Sequence, residues 1–367
     1  MLRTMIRPRS WLSALGPQSG LLAVILCLVV LLTLFAGSHT DRQTGRVRNN
    51  FLSTHTLIQT ATDTSFFAIM AVGMTLVIVS GGIDLSVGSI YAFSGVLTAL
   101  ALRALAQSLS PPALVAAALL LCPLLGLACG LLNGLLTVGL RVHPFIITLG
   151  SMWIFRGVAF VASRAESILL PTPVTSVIKA NLGLPAALYP VPLLVMTVVT
   201  VLGALFMSRT VSGRYIYAVG GNVDACRYAG IGVGRVLVTV YAISGLLAGV
   251  AALVGGGYYG SASCGDATGY ELYVIASAVV GGASLSGGRG FATNAALGAL
   301  LIVLIRQSIR TLHFDQNYEW IIIGCATIVA VVLDRVSRGV ATRRARQPAG
   351  DGSASGPQTG KEKEQQA

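Results

Sequence analysis

Gly81-Gly82-Ile83-Asp84-Leu85-Ser86-Val87-Gly88 and Gly281-Gly282-Ala283-Ser284-Leu285-Ser286-Gly287-Gly288 lie two hundred residues apart and repeat nearly the same pattern. Carried without a gap to Leu100 and Leu300, the two stretches agree at nine of twenty positions. Chance agreement in a chain rich in Gly, Ala and Leu would give roughly two. Each copy interrupts a long apolar run, and paired interruptions of corresponding segments point to a transport pathway. The first break is also required by length. Residues Thr64 to Ala106 contain no proline, and as one helix they would reach about 65 Å, twice the hydrocarbon thickness. Gly81 and Gly82 supply the backbone freedom to end it. Six crossings separate the breaks, so they are expected on one side of the membrane, as a parallel repeat.

Working outward, the chain reads as an all-α polytopic membrane protein. Of its 367 residues 54% are hydrophobic and only 10% charged, with a mean hydropathy of +0.78; soluble domains carry roughly 25% charged residues. The net charge of +12 sits in connections and in the tail, where it orients helices, so nucleic-acid binding is excluded as a reading. The six cysteines and four histidines form no disulfide or metal pattern.

Three regions are expected: a basic cytoplasmic leader at 1–19 with Arg3, Arg7 and Arg9, a permease domain at 20–338, and a disordered polar tail at 339–367. The leader is long and runs into an apolar stretch, 20–37, followed by no convincing small-x-small cleavage site, which predicts a retained first helix rather than a cleaved signal. Nine further spans follow, at 57–80, 87–106, 112–140, 144–163, 190–207, 236–257, 271–285, 291–306 and 318–334. The 112–140 run is long for one crossing; Pro123 and Gly130 are places for it to kink. Ten spans put both termini on one side. With them cytoplasmic, 16 Lys/Arg fall inside and 8 outside, with Arg156 within a span, so N-in/C-in is expected. Arg42, Arg46 and Arg48 in the first external loop run against it.

Residues 208–235 carry a second motif, Gly220-Gly221-Asn222 followed by Asp224-Ala225-Cys226-Arg227-Tyr228-Ala229-Gly230. Asn222 can cap a short helix, with Asp224 in its first turn. Ala225 and Ala229 fall on one face, leaving a shallow surface for another protein; the plainer reading is an ordinary loop. Within the breaks, Asp84 either caps the next helix or meets substrate. Ser86, Gly88, Ser286 and Gly288 are pathway candidates beside it. Arg156 in its apolar span should face the bundle interior or reach an interface. Asn133 and Asn294 are read as interhelical hydrogen-bonding groups or pathway residues. The glycine-rich 281–290 lacks the lysine of a phosphate-binding loop, and no nucleophile, base and metal set is present. A transport subunit, not an enzyme, is expected.

GMTLVIVSGGIDLSVGS (73–89), NGLLTVGLRVHPFIITLGSMWIFRGVA (133–159), GRYIYAVGGNVDACRYAGI (213–231) and ELYVIASAVVGGASLSGGRG (271–290) resemble the ribose-type permease family, the membrane subunits of bacterial ABC importers for monosaccharides. The resemblance covers roughly 51–335. It implies an inner-membrane pore made of two permease copies or of a copy and a paralogue. It also implies cytoplasmic ATPase subunits that hold ATP and Mg, a periplasmic sugar-binding protein, and no cofactor in this chain. By position and spacing Asp224–Gly230 matches the family's ATPase-coupling loop. Cys226 stands where the family usually has alanine. Arg306-Gln307-Ser308 replaces an Asn- and Gly-rich stretch, which makes Arg306 a candidate for substrate selectivity. A permease for branched-chain amino acids or nucleosides stays open, as does an ion-coupled secondary transporter, although the coupling loop argues against the latter.

Overall fold

A computed structural model describes residues 18–40, 47–183, 189–312 and part of 314–328. Nearly all of the expected leader, the end of the tenth span and the whole polar tail lie outside the described residues. Twelve helices follow one another among those described. They are α1 (Gln18–Phe35), α2 (Thr54–Val79), α3 (Val87–Leu105), α4 (Pro111–Leu140), α5 (Pro144–Ser163), α6 (Thr172–Ile178), α7 (Val191–Arg209), α8 (Val211–Gly221), α9 (Val223–Tyr228), α10 (Val233–Tyr259), α11 (Tyr270–Val280) and α12 (Ala292–Thr311). Seven of them are long and apolar enough to cross a membrane, and α1 and α11 are shorter apolar helices. Two small antiparallel ribbons tie loops together, β1 (Ser38–Thr40) with β2 (Val47–Asn49), and β3 (Ile168–Leu169) with β4 (Ser261–Ala262).

The bundle is built around α2. Every side chain from Thr62 to Val79 is buried, as expected of a helix that is apolar all round. Several of its hydroxyls donate to its own carbonyls, Thr64 to Thr60 O at 2.7 Å and Thr75 to Ala71 O at 2.7 Å. Around it stand α7, α10, α11 and α12. At the periphery α5 and α7 leave large apolar side chains exposed, among them Trp153, Val161, Leu194 and Leu202, the surface a lipid-facing helix presents.

The long 111–140 run is one helix of 30 residues that continues through Pro123. A Cβ on Gly126, Gly130 or Gly134 would meet the backbone of Gly245, Tyr241 or Val238 on α10, so the glycines let the two helices approach closely. Two other boundaries differ from the sequence expectation. α11 stops at Val280 rather than 285, because the second glycine break begins at once. α12 runs on to Thr311 rather than 306. Its late arginines are tolerated because Arg306 pairs with Glu319 at 2.6 Å and Arg310 with Asp63 of α2 at 3.3 Å.

Candidate translocation and coupling sites

The first break spans residues 80–86, between α2 and α3. Ser80 closes α2 by donating its hydroxyl to Val77 O at 2.7 Å, and Gly81 turns the chain at φ 89°. Asp84 is fully buried at 0% exposure, and both its oxygens are used. Ser86 donates its N–H and its hydroxyl to Oδ1 at 2.9 and 2.6 Å, and the Ser244 hydroxyl of α10 donates to Oδ2 at 3.0 Å. Asn133 of α4 donates to Ser86 Oγ at 2.8 Å. Asp84 thus organises the turn before α3, whose N-cap Ser86 makes no side-chain cap bond, and Ser244 extends that turn into a tether between helices. A carboxyl buried within a membrane protein needs such donors. Gly88 gives close approach: a Cβ there would come within 2.5 Å of Ala267 O and 2.7 Å of Glu271 Oε2.

The second break, 281–291, joins α11 to α12. Four of its glycines, Gly282, Gly287, Gly288 and Gly290, hold positive φ, a backbone that residues with side chains adopt only under strain. Ser286 lies at its exposed tip, while Asn294, on the first turn of α12, is buried; its backbone carbonyl fills the space a Cβ on Gly281 would need. The second break touches the end of α2, immediately before the first: Gly288 N–H donates to Val79 O at 2.8 Å.

The 208–235 segment reaches the same place. It holds two helices, α8 and α9, rather than one loop. A Cβ on Gly220, at the end of α8, would strike Val79 O and lie 2.6 Å from Gly288 N. Three chain segments therefore meet where no side chain fits. Tyr217 of α8 adds a bond from its hydroxyl to Gly290 O at 2.6 Å. Gly221 follows, and a Cβ added there would meet nothing within 4 Å. Asn222 then caps α9, its Oδ1 accepting from Ala225 N–H at 2.9 Å. Asp224 sits in the first turn and pairs with Arg227 at 3.2 Å on the surface. Cys226 is the only buried side chain of α9, packed with Ile216, Val219 and Val236; a small thiol fits there as a buried apolar group. Ala229 ends the helix and Gly230 reverses the chain at φ 76°. Tyr228 points outward at 93% exposure.

The remaining candidates belong to the opposite end of α12 or to the interior. Arg156 of α5 donates to the carbonyls of Cys264, Asp266 and Ala267 at 2.7, 2.6 and 3.3 Å. It holds the 263–269 loop rather than an acid. Within that loop, burial pushes the Asp266 carboxyl above its ordinary value, opposed by the Ser263 N–H and the Arg156 charge. Tyr91, Tyr259, Ser261, Asp266 and Tyr270 enclose a cavity of about 80 Å³, room for a few waters at about 10–15 Å³ each. Arg306 is mostly buried near the end of α12. It pairs with Glu319 and lies over the rings of Phe67 and Tyr273, at 5.3 and 5.1 Å from their centroids.

Tyr217, Tyr228 and Ser244 were not singled out from the sequence. Tyr228 carries a local signal, a large aromatic within a short helix of small residues. Tyr217 and Ser244 carry none, because their partners lie 73 and 160 residues away.

Over residues 56–331 the chain matches the family described as branched-chain amino acid transport system / permease component. It belongs to this permease family. The ribose import permease RbsC of Escherichia coli (strain K12) is 34% identical over 89% of this chain and 95% of that protein. The D-allose transport system permease AlsC of the same strain is 35% identical over 78% and 85%. The fructose import permease FrcC of Rhizobium meliloti is 32% identical over 79% and 81%. No solved structure matches the chain. The ribose-type resemblance read from the four motifs holds, and with its apolar helices the chain is a multi-pass inner-membrane protein.

Proposed function

We propose that this chain is the permease subunit of an ATP-driven importer that carries a monosaccharide across the bacterial inner membrane. The observation that carries the reading is the junction of Val79, Gly220 and Gly288, which fastens the α8–α9 segment to both glycine breaks. α9 is short, exposed and small-sided, with Tyr228 as a projecting anchor of the kind that dominates interfaces. A separate cytoplasmic ATPase that seats α9 and α10's start would move Gly220, and Gly220 cannot move without shifting one break against the other. Two packed arrangements of the breaks, favoured in turn as the ATPases close and open, give alternating access. ATP and Mg belong to that partner. A second permease copy or a paralogue completes the pore, both termini lie in the cytoplasm, and a periplasmic sugar-binding protein delivers the sugar at the opposite end.

The names of the relatives support a sugar over a branched-chain amino acid or nucleoside. A strain lacking the chain, supplied with labelled ribose, allose, fructose, leucine or a nucleoside, tests this. The reading expects loss of one monosaccharide's uptake, restored by the intact gene. Loss confined to leucine or a nucleoside would overturn it.

A further inference from the structure

Two grooves flank the ridge formed by Tyr217 and Phe291, beside the junction. One, of about 340 Å³, is walled by Leu21, Val280, Phe291 and the second break, with Arg289 at its rim. The other, of about 350 Å³, is walled by Ala204, Met207 and Phe291, with Ser208, Thr293 and Arg214. Both volumes fall in the range of roughly 300–1,000 Å³ that small-molecule sites occupy. Arg214 and Arg289 are exposed and make no side-chain ion pair among the described residues, unlike Arg227, Arg306 and Arg310. Residues 191–221 and 281–311 contain no Asp or Glu at all, and neither does α1. Each groove thus joins an apolar wall to a lone guanidinium with no carboxylate to neutralise it.

We propose that each of the two grooves binds an anionic phospholipid, with its phosphate at Arg289 in one and at Arg214 in the other and acyl chain against the apolar walls. Guanidinium forks match phosphate oxygens well, and basic pockets between membrane helices take anionic headgroups. The combined apolar and cationic lining favours a lipid over free phosphate, which would leave the walls uncovered. The leader of the chain itself is an unsuitable occupant, since residues 1–19 carry Arg3, Arg7 and Arg9 and no acid. A lipid seated there touches Tyr217 and the second break together, so it would stiffen the junction. The inference does not depend on which sugar is carried.

The test uses the full chain in phosphatidylcholine nanodiscs with an acyl-labelled phosphatidylglycerol probe. Wild type should prefer the probe over labelled phosphatidylcholine. R214Q/R289Q should lose that preference by about tenfold or more, the scale expected for two basic groups at an anionic headgroup. R103Q, at the far end of α3, should keep it, and soluble glycerol phosphate should not displace the lipid. Each single variant, R214Q and R289Q, should show a partial loss, which keeps the test valid if the double variant fails to fold. Full preference in the variants, an equal loss in R103Q, or displacement by glycerol phosphate would overturn the proposal. So would displacement by a cognate ATPase, which would make the grooves a protein interface.

Discussion

Gly220→Ala is the smallest change that acts on the junction itself. In an ordinary helix this substitution stabilises by about 1 kcal/mol. Here the new Cβ would meet the Val79 carbonyl and stand 2.6 Å from Gly288 N. Both are backbone atoms, so no rotamer can move aside. Overpacking of a filled interior costs about 1–3 kcal/mol. Separating Val79 from Gly288 also loses their 2.8 Å hydrogen bond, a further loss of about 0.5–1.5 kcal/mol. After the propensity gain, a net cost of about 1–3 kcal/mol remains, enough to shift a two-state coupling by 5–150-fold. Gly221→Ala is the matched control, because nothing lies within 4 Å of its Cβ. The assay pairs thermal unfolding of the purified full chain with sugar uptake by cells. Gly220→Ala should unfold earlier and transport poorly while Gly221→Ala matches wild type in both. If Gly220→Ala were as stable and as active as Gly221→Ala, the junction would not link α8 to the breaks.

Gly230→Val places a β-branched side chain at φ 76°, straining the exit from α9 by about 1–3 kcal/mol; ATPase stimulation by loaded binding protein should be lost while membrane insertion is kept. Tyr228→Ala removes an aromatic that is 93% exposed, so unfolding should not change, but the affinity for the ATPase in a pull-down titration should fall about tenfold, as for an interface anchor. Arg306→Gln or Glu319→Gln each strands a mostly buried charge paired at 2.6 Å, which should cost about 3–5 kcal/mol. Their double variant should recover part of it in a thermal double-mutant cycle, and additive losses would show that the pair is not coupled.

The sequence told most about features that local chemistry decides. The Gly81-Gly82 pair ended α2, Asn222 and Gly230 bounded α9, and apolar length placed the seven helices long enough to cross a membrane. What stayed hidden rests on contacts between distant segments. The span expected at 291–306 runs on to Thr311, because the partners of Arg306 and Arg310, Glu319 and Asp63, could not be assigned to them from spacing. Gly130 was read as a place to kink and Gly126 and Gly134 drew no reading, since the use of all three appears only once α10 lies against them. Asp84 was ambiguous for the same reason: Ser244, which satisfies its second oxygen, is 160 residues away. α8 escaped notice because an amphipathic helix ending in two glycines looks like a polar connection.

ATP-dependent uptake in a purified system tests the central claim most directly. Proteoliposomes holding this chain, its cognate ATPase and the cognate binding protein would be loaded with labelled monosaccharide outside and ATP on the ATPase side. The account predicts accumulation that requires ATP, both partners and an intact α9, and that is abolished by Gly230→Val. Accumulation driven by a proton or sodium gradient with the ATPase omitted would contradict it.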